Sequence, residues 1–196
     1  MAQEKLLVIS AHAADFVWRS GGTIASYLER GAAVKVIVLS YGIRGESNHL
    51  WKQEGQTTEN VRSIRHAESS EAARILGVTD IEFWDFEDYP MTLDRERLDR
   101  LVVAIRTFRP DNIITHGPKD AFNPDHEHVS ETVFQACVTA NSAGALYDGL
   151  PATKQMGIFG FEPHQTEISS FVPGTIIDIT SVFEKRPWPV SRHRST

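Results

Sequence analysis

Two short stretches of the chain carry histidine and carboxylate side chains that could together hold a metal ion. HAAD places His12 and Asp15 after an apolar run, and NPDH places His126 at a predicted helix start. Two imidazoles and one carboxylate, with one coordination position left open, are typical of a catalytic zinc site. By residue type His116 and His128 are equally eligible, and a loop histidine is more often a packing or capping residue, so the residues alone leave the ligand set open.

Further polar groups in loops could move protons or bind an anion. Glu46, in YGIRGES after a predicted strand, could activate water, and His164, in FEPHQ, could give or take a proton near neutral pH. Arg44, two residues before Glu46, could bind a substrate carboxylate, and Arg19 could assist it. The alternative for each is a solvated or loop-closing side chain.

Segments with strand and helix patterns alternate along the chain and would position these groups. The strand patterns are KLLVIS, AAVKVIVLS, DIEFWDF and DNIITH; the helix patterns are GGTIASYLERG, TTENVRSIRHAESSEAARILGV, LDRERLDRLVVAIRTF and residues 125–140. This alternation predicts a Rossmann-like α/β fold, a mostly parallel sheet with helices on both faces. His12 and Asp15 then lie in a strand-to-helix loop at the carboxyl edge, where such sheets bind ligands. Residues 156–165 and 173–180 are expected to extend the sheet.

Length and composition indicate a single domain over residues 1–183 of the 196-residue chain. The net charge of −6 argues against a nucleic-acid partner, although a local arginine can still hold a small anionic substrate. One cysteine, Cys137, excludes an internal disulfide and is predicted to be buried. No long apolar run or signal-peptide pattern occurs, so we expect a cytoplasmic homo-oligomer without a membrane partner.

The end of the chain departs from this pattern. Residues 184–196 contain two prolines and five basic residues and show no apolar period, which predicts an irregular tail. A truncation or an altered reading frame would explain such a tail.

The motifs resemble those of the LmbE/PIG-L-like zinc de-N-acetylase superfamily. AHAADF, followed by a Gly-Gly pair, is similar to the family's A-H-P-D-D-E motif, and NPDH is similar to its H-P-D-H motif. In that family the first His, the second Asp and the last His bind the metal. The resemblance therefore implies that His12, Asp15 and His126 hold one zinc ion.

Other family positions are changed. The aspartate that acts as general base in the deacetylases falls on Ala14, the family's Glu falls on Phe16, and the first His of the second motif falls on Asn123. Alanine cannot accept a proton, so the resemblance implies altered chemistry, with Glu46 as the candidate base and Asn123 as a substrate-binding residue.

The altered pattern resembles the branch of the superfamily that contains 4-oxalomesaconate hydratase. The likeness runs through LSYGIRGES, DYPM, NPDH, FEPHQ and DITSVF, over about residues 5–183. It implies a zinc-dependent hydro-lyase that adds water to a small unsaturated oxo-polycarboxylate in aromatic-acid catabolism. Two alternatives stay open: a zinc-dependent de-N-acetylase or amidohydrolase, and a catalytically silent metal-binding relative.

Overall fold

The computed structural model of the chain describes residues 3–183, so the tail predicted at 184–196 lies outside the described residues. Within that range five parallel strands form one sheet in the order β3-β2-β1-β4-β5. The strands are β1 (Lys5–Ser10), β2 (Ala33–Val38), β3 (Asp80–Phe83), β4 (Asn112–Thr115) and β5 (Gly157–Gly160). Ser10 pairs with Val38 of β2, and Val8 pairs with Ile114 of β4, so β1 lies at the centre.

Helices follow the strands as the sequence predicts. They are α1 (Asp15–Glu29), α2 (Asn48–Trp51), α3 (Thr58–Leu76), α4 (Arg95–Phe108), α5 (Pro124–Asn141) and α6 (Thr180–Phe183). The Thr57 side chain accepts a hydrogen bond from the Asn60 amide at the start of α3, and Gly77 ends that helix with a φ of 83°. None of the helices within residues 3–183 combines the length and the apolar character needed to cross a membrane.

Apolar side chains cover both faces of the sheet, which confirms the predicted α/β class. Leu7 and Ile9 of β1 point into a core that α4 and α5 complete. Leu6 and Val8 point into a second core that α1 and α3 complete. A central parallel strand is buried on both faces and therefore reads as an unbroken apolar run.

The structure corrects two predictions. Helix α1 begins at Asp15 and not at the Gly-Gly pair, which lies inside the helix. A Cβ on Gly22 would lie 2.6 Å from the Ile179 side chain, so the pair allows Ile179 to pack against the helix and does not start it. The prediction that residues 173–180 extend the sheet is wrong. Val182, just after this segment, is buried, and Ile176 is 84% exposed. Strand β5, within residues 156–165, does extend the sheet.

Candidate metal centre and its cavity

His12 and Asp15 lie just beyond the carboxyl end of β1. His12 follows the strand, and Asp15 is the first residue of α1. The Asp15 Oδ2 accepts a hydrogen bond from the His12 backbone N–H at 2.8 Å, which folds the turn so that both side chains face the same point. Both are almost fully buried, with exposures of 0% and 4%.

His126 reaches the same point from the adjacent strand. It lies in the first turn of α5, where the Asn123 side chain caps the helix by accepting from the His126 backbone N–H at 3.4 Å. Its Nε2 lies 3.2 Å from the His12 Nδ1 and 3.5 Å from the Asp15 Oδ2. Because β1 and β4 are paired, the loops after them meet at one edge of the sheet.

Glu46 completes the group from the loop after β2. Its Oε1 lies 3.2 Å from the His12 Nδ1. One donor atom from each of four residues lies within 4.8 Å of the others: His12, Asp15, Glu46 and His126. The structure therefore brings the three predicted ligands and the predicted base together.

Two buried aspartates determine which imidazole nitrogens face this point. The Asp125 Oδ2 lies 3.2 Å from the His12 Nε2, and the Asp120 Oδ2 lies 2.8 Å from the His126 Nδ1. A carboxylate on one ring nitrogen fixes the tautomer and leaves the other nitrogen free to bind a metal. Nδ1 of His12 and Nε2 of His126 are the nitrogens that face the site, where the Asn123 side-chain nitrogen lies 2.9 Å from the His126 Nε2.

The charge around the site suits a cation. Burial acts to lower the pKa of His12, but Asp125, Asp15 and Glu46 outweigh it and raise that pKa well above 6.5. Burial acts to raise the pKa of Asp15, yet the surrounding histidines hold it well below 3.8. The raised pKa of His12 indicates a negative potential, which favours a proton or a divalent cation, so these residues fit a metal with nitrogen and oxygen ligands.

The two other histidines considered as ligands have different surroundings. His116 accepts a hydrogen bond from the Ala11 amide at 2.9 Å and stacks on His126 with ring centroids 3.9 Å apart. Burial lowers its pKa to about 4, so it is neutral. It forms a second buried group with Asp120 and His126. His128 points away and lies 3.3 Å from the Leu93 amide.

An open cavity of about 700 Å³ leads to the metal centre. It is lined by Ala14, Asp15, Trp18, Arg19, Glu46, Arg65, Glu162, Pro163 and His164. His164 therefore faces the same space as Glu46, as a pair of proton-transfer groups would require.

The predicted anion-binding arginines are placed differently from one another. Arg19 lines the cavity, but its guanidinium already contacts Asp15, Asp120, His164 and the carbonyl oxygen of Glu162. The side chain of Arg44 is 55% exposed and lies 4.0 Å from Glu87, outside the cavity lining. Asn123 is buried at the start of α5 and also lies outside that lining.

Sequence reasoning missed Asp120, Asp125 and Arg65. Asp125 lies inside the NPDH motif beside a predicted ligand, and this adjacency was a usable signal. Arg65 lies within an amphipathic helix full of charged residues, and nothing in its sequence context distinguishes it.

Comparisons with known proteins identify a matching family model and several similar proteins. Residues 7–137 match the family model PIG-L, described as GlcNAc-PI de-N-acetylase. The chain is 41% identical over 187 residues to 4-oxalmesaconate hydratase of Pseudomonas putida, covering 94% of this chain and 70% of that protein. It is 28% identical to diacetylchitobiose deacetylase of Thermococcus kodakarensis, covering 98% of this chain and 70% of that protein. The crystal structure of GalB, the 4-carboxy-2-hydroxymuconate hydratase from Pseudomonas putida KT2440, superposes with a TM-score of 0.85 at 40% identity, covering 93% of this chain and 75% of that one.

Proposed function

The chain belongs to the PIG-L family, and from that membership we propose that it is a metal-dependent hydratase acting on a small unsaturated oxo-polycarboxylate such as 4-oxalomesaconate. The matches to a Pseudomonas putida hydratase at 41% identity and to a hydratase crystal structure from the same organism at 40% identity support this choice over deacetylation.

The identity of residue 14 carries the proposal. Ala14 lines the cavity beside the metal centre, at the motif position where the deacetylases have their general base. A methyl group cannot take a proton from water, so amide hydrolysis would lack its base at this place. Glu46 supplies a carboxylate from a different loop, 3.2 Å from His12.

We assign the metal to His12, Asp15 and His126, with zinc as the ion that suits two imidazoles and a carboxylate. When bound, zinc supplies a Lewis acid that polarises an oxo or enolate oxygen of the substrate. Asp125 and Asp120 orient the two imidazoles so that the other nitrogen of each ring faces the metal site.

Proton transfer is assigned to Glu46 and His164. Glu46 takes the proton from the water that adds to the double bond, and His164 gives a proton to the neighbouring carbon. The Arg19 Nη2 lies 2.7 Å from the His164 Nδ1 and 3.4 Å from its Nε2. Because arginine only donates, Nδ1 accepts this bond in the neutral ring and Nε2 carries the proton. To act as the acid, the ring takes up a second proton and releases Arg19; after Nε2 gives its proton to carbon, the ring is neutral again.

Recognition of a substrate carboxylate is assigned to Arg65. Its side chain is anchored by bonds to the Tyr41 carbonyl oxygen at 3.3 Å and to Glu68 at 2.8 Å. These two bonds use two of the five guanidinium N–H groups, so others can face the cavity that Arg65 lines. Arg44 and Arg19 were the sequence-based candidates, but the exposure of one and the existing contacts of the other favour Arg65.

The cellular setting follows from the same proposal. We place the protein in the cytoplasm as a homo-oligomer that takes a small anionic substrate in aromatic-acid catabolism, without a nucleic-acid or membrane partner. The negative net charge of −6 and the hydratase relatives support this setting.

The test compares two reactions on zinc-loaded protein. We expect loss of ultraviolet absorbance from 4-oxalomesaconate and no amine release from diacetylchitobiose. Glu46→Gln and His164→Ala should each lower turnover by about 10²- to 10⁴-fold and keep the metal. Amine release without hydration would make the protein a deacetylase, and metal binding without either reaction would make it a silent relative.

A further inference from the structure

The loop after β3 carries a buried carboxylate outside the cavity, Asp88. It is 2% exposed, and its Oδ2 accepts hydrogen bonds from the backbone N–H groups of Arg44 at 2.9 Å and Gly45 at 2.7 Å. Its Oδ1 lies 3.1 Å from the Arg44 amide. Asp88 thus binds the two peptide groups that directly precede Glu46.

The Glu46 loop has few bonds of its own at this point. The Glu46 amide and the Ser47 hydroxyl both donate to the Gly42 carbonyl oxygen, at 3.1 and 2.8 Å. Among residues 3–183, the amides of Arg44 and Gly45 have Asp88 as their partner. The Trp51 indole also donates to the Ile43 carbonyl oxygen at 2.7 Å, so Asp88 is the group that holds the two amides immediately before Glu46.

Close packing reinforces this contact. A Cβ added to Gly45 would lie 2.1 Å from the ring of Tyr89, so the loop rests directly on the residue that follows Asp88. The Tyr89 and Met91 amides each donate at 2.9 Å to Asp125, which in turn orients His12. One short segment, residues 88–91, thus connects the base to a metal ligand.

We propose that Asp88 is a positioning residue that holds the Glu46 carboxylate beside His12 for proton transfer. This inference rests on the proposed function, in which Glu46 is the base. A misplacement of about 1 Å at a reacting group can cost about 100-fold in rate, so the loop needs an external anchor.

A carboxylate is needed at position 88 because its partners, the backbone amides of Arg44 and Gly45, are both hydrogen-bond donors. Asparagine at position 88 would put an N–H₂ group in place of one of the two oxygens. At the Oδ1 position the group would face the Arg44 N–H, and at the Oδ2 position it would face the N–H groups of both Arg44 and Gly45. The Asp88→Asn variant therefore loosens the turn with almost no change in side-chain volume.

The experiment is a double-mutant cycle on zinc-loaded enzyme with Asp88→Asn, Glu46→Gln and the double variant. We expect Asp88→Asn to lower kcat by about 10- to 100-fold with KM and metal content unchanged. In the Glu46→Gln background it should cost nothing further, because it acts through Glu46. The control is Asp111→Asn, which removes a carboxylate bond to the Lys5 amide of 2.8 Å at the opposite edge of the sheet and should leave kcat normal.

The other possible results contradict either the role of Asp88 or the proposed function. An equal fold-loss in both backgrounds, a normal kcat for Asp88→Asn, or loss of metal overturns the role of Asp88 alone. A wild-type chain that binds zinc but does not hydrate the substrate overturns the proposed function, and the role of Asp88 in that reaction falls with it. If Asp88→Asn does not fold, Asp88→Glu keeps the charge, displaces it by one methylene, and should show the same non-additivity with Glu46→Gln.

Discussion

Replacing Asp125 by asparagine should weaken both metal binding and the fold of the metal-free chain. The carboxylate lies 3.2 Å from the His12 Nε2 and accepts from the amides of Tyr89 and Met91, both at 2.9 Å. An amide nitrogen in place of one oxygen faces at least one of these donors. If it faces His12, the imidazole must move its proton to Nδ1, the nitrogen that faces the metal centre.

The two effects are of similar size but act on different quantities. Loss of the partner of a metal-binding histidine weakens metal affinity by about 10- to 100-fold, or about 1.4–2.7 kcal/mol. One unsatisfied buried backbone N–H costs about 1–3 kcal/mol of unfolding free energy in the metal-free protein. Asp125→Asn should therefore lower both the zinc affinity and the stability of the metal-free chain.

Zinc affinity is measured by competition with a chromophoric chelator, and stability by denaturant unfolding of the chelated protein. Asp94→Asn serves as control, because Asp94 accepts from the Arg97 amide at 3.0 Å at the start of α4. A stability loss with unchanged zinc affinity would show that Asp125 anchors residues 89–91 and does not orient His12. No change in either quantity would refute the hydrogen bonds themselves.

Three further outcomes are expected. His126→Ala should abolish stoichiometric zinc, measured by elemental analysis of the purified protein, and one tightly held ion in the variant would assign another ligand. Ala14→Asp should leave the hydration rate unchanged or lower it, because a new carboxylate repels an anionic substrate. A large gain in that rate would show that alanine at position 14 impairs the enzyme and is not an adaptation to hydration. Burial raises the pKa of Cys137 to about 12, so a thiol reagent at pH 8 should label it only after denaturant is added; rapid labelling of native protein would contradict its burial.

The sequence pattern predicted the sheet well because a strand buried on both faces consists of consecutive apolar residues, which can be recognised in the sequence. The apolar run that includes Leu6 and Ile9 could be placed without knowing its neighbours. The same logic fails for residues 173–180, where Ile176 and Ile177 are apolar but exposed. An apolar pair does not specify what it packs against.

The part of the candidate site that could be predicted consists of residue types with few possible chemical roles. His12, Asp15 and His126 could be selected as metal ligands because few side chains bind zinc. Asp88 and Asp125 escaped notice because each acts through contacts with residues more than 30 positions away, and nothing periodic in the chain encodes such contacts.

Strand order has a consequence for when the proposed metal ion could bind during synthesis. β1 lies between β2 and β4, and His12 and His126 are 114 positions apart. A nascent chain that has exposed β1, α1 and β2 carries two of the three proposed ligands, His12 and Asp15, but has no partner for the other edge of β1. The metal can therefore bind only after α5 has left the ribosome, and it stabilises the finished fold by mass action without guiding earlier steps. Truncation before α5 should remove zinc binding altogether rather than weaken it in proportion to length.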